Sequence, residues 1–181
     1  MKSLRSICVY CGSSPGSSVI IHQAARQLGR LMAEQGITLI YGGGNVGLMG
    51  MVADAVLSCG GKAVGIITEG LMEREVGHTG LSELRIVKTM HERKAMMADL
   101  ADGFIAMPGG VGTLDELFEV LTWSNLRIHS KRVGLLNTEG FYDTLMGFLQ
   151  SIRDKGFMRE SQFQDLIVAS EPGDLLDRLR S

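Results

Sequence analysis

The stretch GFIAMPGGVGTLDELFEVL, residues 103–121, joins a short apolar run to an amphipathic run through a glycine-rich turn. The apolar run predicts a buried strand over residues 103–107, and the spacing of the leucines predicts a helix over residues 112–125. We expect the buried stripe of this helix to consist of Leu114, Leu117, Phe118 and Leu121. A strand that passes through a tight turn into a helix is a repeating unit of α/β proteins.

The same alternation of short apolar runs and longer amphipathic runs extends over the rest of the chain. Further strands are predicted over residues 6–10, 37–41, 63–67, 85–87, 132–136 and 165–169. Further helices are predicted over residues 18–35, 48–58, 90–101 and 141–155, with a short one after Pro172. The pattern therefore predicts one α/β domain over residues 1–181, with a parallel sheet of about seven strands and helices on both faces. Residues 68–84 are the least regular segment, and we expect a loop there.

Composition and charge exclude several classes of protein. Hydrophobic residues make up 45% of the 181 residues, and the net charge is −2, so we expect no nucleic-acid partner. No apolar run follows the basic N-terminal residues, and none approaches the length of a membrane span, so we expect neither a signal peptide nor a membrane partner. Three cysteines in a chain of this length fit a reducing, cytoplasmic compartment.

The cysteines and histidines suggest no metal. Cys8 and Cys11 have C-x-x-C spacing, which can mark a redox pair or half of a metal site. A zinc site needs further ligands, and no second pair is present, so we favour two small buried or turn residues at the end of the first strand. The four histidines show no metal-ligand spacing.

Four glycine-rich or polar turns follow predicted strands, and such turns meet at one edge of a parallel sheet. They span residues 11–16, 42–50, 68–70 and 108–112. Because open α/β sheets bind ligands beyond the carboxyl ends of their strands, we expect a site assembled from these turns.

Two of the turns compete as anion sites. Gly42, Gly44 and Gly47 match G-x-G-x-x-G, and Glu69 follows the next strand, which imitates a dinucleotide fingerprint. The same glycines also suit close packing of a helix on a strand without any ligand. The turn from Gly109 to Thr113 opens a helix, so its backbone N–H groups and a threonine hydroxyl can hold an anion.

Three charged residues stand out near these turns. Asp115 and Glu116 lie in the first turns of the helix after Gly112, where carboxylates favour the helix dipole with or without a function. Arg93 falls on the apolar stripe of the helix over residues 90–101, together with Met90, so its guanidinium needs a structural or ligand partner.

These motifs together resemble the LONELY GUY family, the cytokinin riboside 5′-monophosphate phosphoribohydrolases. The signature is an R-K pair followed by P-G-G-x-G-T-x-x-E, which corresponds to Arg93-Lys94 and the segment 108–116. The resemblance continues through CVYCGSSPG (8–16), YGGGNVGLMG (41–50) and KRVGLLNTEGFYDTL (131–145). It implies a Rossmann-like three-layer fold, a homodimer or higher oligomer, and hydrolysis of a nucleoside monophosphate to a base and ribose 5-phosphate, without a cofactor.

The resemblance also implies roles for individual residues. Arg93 and Glu116 match the catalytic pair. The substrate-binding positions are Glu75, Lys94, Gly109, Gly110, Val111, Gly112, Thr113, Leu114, Asp115 and Thr122, to which we add Gly43, Gly44 and Met90. The chain departs from the family in having Asp115 where glutamate is frequent, and in a less typical segment over residues 73–80, which bears on Glu75.

Other functions remain open at the level of the sequence. A general AMP nucleosidase would share the same residues, and a nucleotide or cofactor carrier would bind without releasing a base. A lysine decarboxylase would need a lysine placed for a Schiff base, and we identify none. An NAD-dependent oxidoreductase could use Gly42–Gly47 but would leave Arg93 and Glu116 without a role.

Overall fold

Seven parallel strands form one sheet in the computed structural model, which describes residues 4–72 and 76–181. The strands are β1 (Ser6–Tyr10), β2 (Thr38–Tyr41), β3 (Ala63–Thr68), β4 (Glu83–Val87), β5 (Gly103–Ala106), β6 (Arg132–Leu136) and β7 (Leu166–Ala169). Their spatial order is β4-β3-β2-β1-β5-β6-β7, and each neighbouring pair is parallel. The predicted fold class is confirmed.

The order of the strands reverses between β1 and β5. The chain leaves β1 in one direction through β2, β3 and β4, and then returns to place β5 on the other side of β1. The register pairs Tyr10 with Ala106 at the carboxyl ends of these two strands. A crevice opens at such a reversal because the two following loops lead to opposite faces of the sheet.

The described ranges contain eight α-helices, of which the last follows the final strand. They are α1 (Val19–Glu34), α2 (Gly47–Ser58), α3 (Glu69–Met72), α4 (Met90–Leu100), α5 (Val111–Asn125), α6 (Asp143–Asp154), α7 (Glu160–Gln164) and α8 (Pro172–Arg180). Helices α1, α2 and α8 share one core with one face of the sheet, while α4, α5 and α6 share another core with the opposite face. The helices thus cover both faces, as predicted.

The two cores divide the side chains of β1. Cys11 packs with α1 and α2, whereas Cys8 and Tyr10 pack with α4 and α5. Alternation along a strand sends Cys8 and Cys11 to opposite faces of the sheet, so the C-x-x-C pair is not a redox pair. Both cysteines are buried and neither forms a disulfide, which agrees with the preferred interpretation of the motif.

Some predicted boundaries and one core residue were wrong. Ser18 is not helical but caps α1, since its hydroxyl accepts a hydrogen bond from the Ile21 N–H at 3.2 Å. The helix predicted over residues 141–155 begins at Asp143, after a 3₁₀ turn (Thr138–Gly140). Phe118 is 38% exposed, and the buried residues of α5 are Thr113, Leu117 and Val120. The predicted loop over residues 68–84 contains α3, and α7 was also missed.

Candidate active site

The turns after β1 and β5 meet at the reversal of strand order. The Gly12 N–H donates to the Pro108 carbonyl at 3.2 Å. A methyl group on Gly109 would lie 2.9 Å from the Gly12 nitrogen and 2.1 Å from the Thr113 hydroxyl oxygen. Glycine is therefore required at position 109, because the two backbones approach each other too closely for a side chain.

The N-terminus of α2 is occupied by the protein itself. The Gly12 carbonyl accepts hydrogen bonds from the backbone N–H groups of Leu48 at 3.0 Å and of Met49 at 3.4 Å. Gly47 has a positive φ of 63°, and a methyl group there would lie 2.3 Å from the backbone of Ser13. These contacts favour a packing role for the G-x-G-x-x-G turn over a dinucleotide site, since the N–H groups that would hold a pyrophosphate already have an acceptor.

The N-terminus of α5 is open by comparison. Gly110 is its N-cap residue, and within the described ranges no side chain caps it. Open space surrounds the Cα atoms of Gly110 and Gly112, and Val111 is 84% exposed. Thr113 is buried beneath the turn against Gly109. The first N–H groups of α5 therefore border a space that can admit an anion.

Arg93 extends from α4 under the carboxyl ends of two strands. Its side chain is buried, and its Nε donates to the Ile66 carbonyl at 2.9 Å while a terminal nitrogen donates to the Gly42 carbonyl at 2.8 Å. The capping box of Thr89 and Glu92 fixes the start of α4 and so directs this side chain. The predicted burial of Arg93 is confirmed, and backbone carbonyls are among its acceptors.

Arg93 and Glu116 both act on the same face of β1. Burial raises the pKa of the Cys8 thiol well above its ordinary value, the Glu116 carboxylate raises it further, and the Arg93 guanidinium lowers it. Burial also raises the pKa of the Tyr10 phenol, to which Cys8 and Glu116 add. The thiol and the phenol on this face of β1 therefore stay neutral at ordinary pH, and the charges of Glu116 and Arg93 act on the thiol with opposite signs.

Lys94 contacts two carboxylates of α5. Its ammonium nitrogen lies 3.1 Å from a carboxylate oxygen of Asp115 and 3.1 Å from one of Glu119. Burial alone would lower the pKa of Lys94, but hydrogen bonds to these two carboxylates outweigh it and raise the pKa. An ammonium held protonated in this way is unsuited to form a Schiff base, which needs a neutral amine.

The remaining predicted residues lie in several places around the crevice. Gly43 and Gly44 are buried, and the Tyr41 hydroxyl donates to the Gly44 carbonyl at 3.2 Å. Met90 is exposed at the start of α4. The Thr122 hydroxyl donates to the Phe118 carbonyl within α5 at 2.7 Å. Leu114 donates its N–H to Gly110, which begins the helix. Glu75 lies outside the described residues.

Sequence reasoning missed three residues that support the site. His78 is buried, contacts Asp54 at 2.9 Å, and donates its backbone N–H to the Gly43 carbonyl. The Tyr142 hydroxyl donates to the carbonyl of Met107 at 2.5 Å, directly before the second glycine turn. Glu119 was detectable, because it lies one helical turn after Asp115 and so shares its side of α5.

A cleft of about 820 Å³ lies away from this crevice, at the opposite edge of the sheet. It is lined by residues at the beginnings of β6 and β7 and at the end of α5. Two of its basic groups bind helix carbonyls, since Lys131 donates to Ala98 at 2.6 Å and Arg132 donates to Arg178 at 2.8 Å. We therefore assign this cleft no part in the candidate site.

Residues 4–72 and 76–181 contain no cluster of three or more His, Cys, Asp or Glu side chains that could hold a metal ion. Within the same ranges, no helix has both the length and the apolar character needed to cross a bilayer.

Comparisons with known proteins agree with the motifs. The family model described as possible lysine decarboxylase matches residues 49–179. The cytokinin riboside 5′-monophosphate phosphoribohydrolase LOG of rice, Oryza sativa subsp. japonica, is 49% identical over 97% of this chain and 72% of its own length. The corresponding LOG2 protein of Arabidopsis thaliana is 47% identical over 97% of this chain and 82% of its own length.

A solved structure supports the fold at lower identity. The molybdenum cofactor binding protein of the phototrophic bacterium Rippkaea orientalis superposes with a TM-score of 0.73 at 22% identity, covering 99% of this chain and 97% of that protein. At this identity the likeness concerns the fold alone. The match to the rice and Arabidopsis proteins over 97% of the chain shows that this chain belongs to the LONELY GUY family of cytokinin riboside 5′-monophosphate phosphoribohydrolases.

Proposed function

We propose that this protein hydrolyses the N-glycosidic bond of an adenosine 5′-monophosphate, in particular one modified at N6, and releases the free base and ribose 5-phosphate. One observation carries the proposal: an open helix N-terminus at the reversal of strand order stands beside a buried arginine and a glutamate. Membership of a family whose members are named for this reaction supports it.

The phosphate end of the substrate suits the turn that opens α5. A phosphate needs several donors and a positive potential, and the first N–H groups of a helix supply both. Gly110 and Gly112 leave the space in which the phosphate oxygens would lie. This arrangement supports the binding role that the resemblance implies for Gly109 to Thr113.

The ribose suits the carboxylate of Glu116. When the bond between C1′ and the base nitrogen breaks, positive charge develops on the ribose ring, as it does in glycosidases. A carboxylate beside the ring stabilises that charge, or takes a proton from the attacking water. Arg93 cannot act as a base, because a guanidinium stays protonated, so we assign it the orientation of Glu116 or of the ribose.

The atoms of the proposed reaction balance with water as the only co-reactant. The oxygen of water bonds to C1′, and the electron pair of the broken C–N bond stays on the base. The proton that water loses ends on the base nitrogen, so no cofactor or metal is needed. We accordingly propose none.

A second candidate is a general AMP nucleosidase with no preference for a modified base. The same glycine turn, Arg93 and Glu116 serve either reaction, so only the relative rates on the two nucleotides separate these functions.

The test is chromatography of the protein incubated with AMP or with isopentenyladenosine monophosphate. Wild type should release base and ribose 5-phosphate in equal amounts, and Glu116→Gln should be slower by about 10²- to 10⁴-fold. Near-full turnover by Glu116→Gln would overturn the mechanism. A bound nucleotide without release of base would instead support a carrier function.

We also infer a cytoplasmic homodimer built from one domain per chain. Several large apolar side chains are exposed, including Phe118 on α5 and Leu126 directly after it, and a second copy could cover them. The three cysteines form no disulfide, which fits a reducing compartment. Light scattering of the purified protein measures the number of chains, and a monomer at micromolar concentration would contradict this inference.

A further inference from the structure

Lys94 joins two helices that carry the proposed catalytic residues. Its ammonium contacts Asp115 and Glu119 at 3.1 Å each, so the second turn of α4 is connected to the first turns of α5. The Lys94 side chain is only 12% exposed and that of Glu119 only 23%, whereas that of Asp115 is 60% exposed. The contact with Glu119 is therefore the more protected of the two.

Arg93 and Lys94 are adjacent in α4, and their side chains make contacts in different directions. Arg93 reaches the carbonyls at the ends of β2 and β3, and Lys94 reaches across to α5. Asp115 and Glu119 are one helical turn apart, and Glu116 lies between them in sequence. Any shift of α5 that breaks the contacts of Lys94 also moves Glu116 relative to Arg93.

The charge of Lys94 also reduces the electrostatic repulsion between a bound phosphate and a nearby carboxylate. Asp115 places a carboxylate close to the N-terminus of α5, where it would repel a phosphate. The Lys94 ammonium offsets that charge, and it offsets the partly buried charge of Glu119, which would be costly if unpaired. With two carboxylates already bound to it, the ammonium is poorly placed to serve as a phosphate ligand as well.

We propose that Lys94 is a positioning residue that acts through Asp115 and Glu119, and that it does not contact the substrate phosphate. It holds α5 against α4 so that Glu116 keeps its place relative to Arg93. It also shields the phosphate from the Asp115 carboxylate. This inference rests on the proposed function, and it replaces the substrate-binding role that the resemblance implies for Lys94 with a positioning role.

A double-mutant cycle tests the proposal. Lys94→Met is made in the wild type and in a background that carries Asp115→Asn and Glu119→Gln, in which both partners are neutral and nearly unchanged in shape. In the wild-type background we expect kcat to fall by about 100-fold, the cost of misplacing a reacting group by about 1 Å. In the neutral background the same change should cost less than about threefold, because Lys94 has no charged partner left to act through.

A direct role on phosphate gives the opposite pattern. If Lys94 binds the phosphate, Lys94→Met should lower kcat by the same factor in both backgrounds. Equal losses of kcat would therefore overturn the proposal. Inhibition by ribose 5-phosphate provides a second readout, since its inhibition constant should be insensitive to Lys94→Met in the neutral background. A weakening of about tenfold or more there would assign the ammonium to the phosphate.

Stability and turnover are read on the same four proteins, so that failures can be told apart. Absence of base release by wild type would contradict the proposed function, while ribose 5-phosphate binding would still report on Lys94. If Lys94→Met folds only when Asp115 and Glu119 are neutral, the lysine acts through these carboxylates, as proposed. Retention of wild-type kcat by Lys94→Met in the wild-type background would refute it.

Discussion

Replacement of Gly42 by alanine tests the placement of Arg93 without changing any charged group. A methyl group at position 42 would lie 2.2 Å from a terminal nitrogen of Arg93. Ordinary contacts between heavy atoms need about 3.5 Å, so the guanidinium must move by roughly 1.3 Å. It would then give up its hydrogen bond to the Gly42 carbonyl.

The expected effects follow from that displacement. A shift of about 1 Å in a catalytic group lowers the rate by about 100-fold, so kcat for base release should fall by about that factor. The lost hydrogen bond to a buried charged group should lower the free energy of unfolding by about 1.5–3 kcal/mol. Steady-state kinetics on AMP and thermal unfolding of the same sample measure the two quantities.

A matched control separates this effect from glycine substitution in general. Gly147 lies on the exposed side of α6 with open space around it, so Gly147→Ala should leave kcat unchanged and stabilise the protein by up to about 1 kcal/mol. A Gly42→Ala protein with the kcat and stability of the wild type would show that the position of the Arg93 guanidinium does not matter for catalysis.

Three further predictions concern the surroundings of the site. Gly112→Ala has room for its methyl group and should fold normally, but it should raise KM for AMP by about tenfold if phosphate oxygens occupy that space; an unchanged KM would place the phosphate elsewhere. Tyr142→Phe removes the hydrogen bond to the Met107 carbonyl and should lower the free energy of unfolding by about 1–3 kcal/mol in a denaturant titration, and no change would mean that water replaces the hydroxyl. A thiol reagent at pH 8 should react with one cysteine, Cys59, in the folded protein and with three after denaturation. Burial protects the other two cysteines and raises the pKa of the Cys8 thiol, so three reactive thiols in the folded protein would contradict this prediction.

The strands could be predicted from the sequence because hydrophobic residues are spaced differently in strands and in helices. The predicted bounds of β1 and β6 coincide with the observed ones, since short apolar runs buried on both faces differ clearly from the amphipathic helices around them. Two errors fell at the starts of helices, where local hydrogen bonds and turns decide which residue is the first helical one. Ser18 fits a helical pattern yet caps α1, and the 3₁₀ turn before Asp143 uses Glu139 with a positive φ.

The core of α5 could be predicted only in part. Helical periodicity selects a stripe that is wide enough to include Phe118, but the tilt of α5 on the sheet decides which members of that stripe are buried. The residues of α5 that are buried in the structure are Thr113, Leu117 and Val120. A single sequence contains no direct information on that tilt, because it depends on the packing of α4 and α6 beside α5.

The sequence by itself determined the α/β class and the positions of the glycine turns. It also predicted Arg93 and Glu116 as the catalytic pair, through the resemblance to the family. A cation in an apolar stripe and a P-G-G-x-G-T-x-x-E motif are local patterns that short-range spacing makes visible. Only the tertiary structure decided that the Gly12 carbonyl occupies the N-terminus of α2, that Arg93 binds the ends of two strands, and that Lys94 pairs with α5. These contacts join residues that are 21 or more positions apart, so they depend on the order of strands in the sheet and not on any period along the chain.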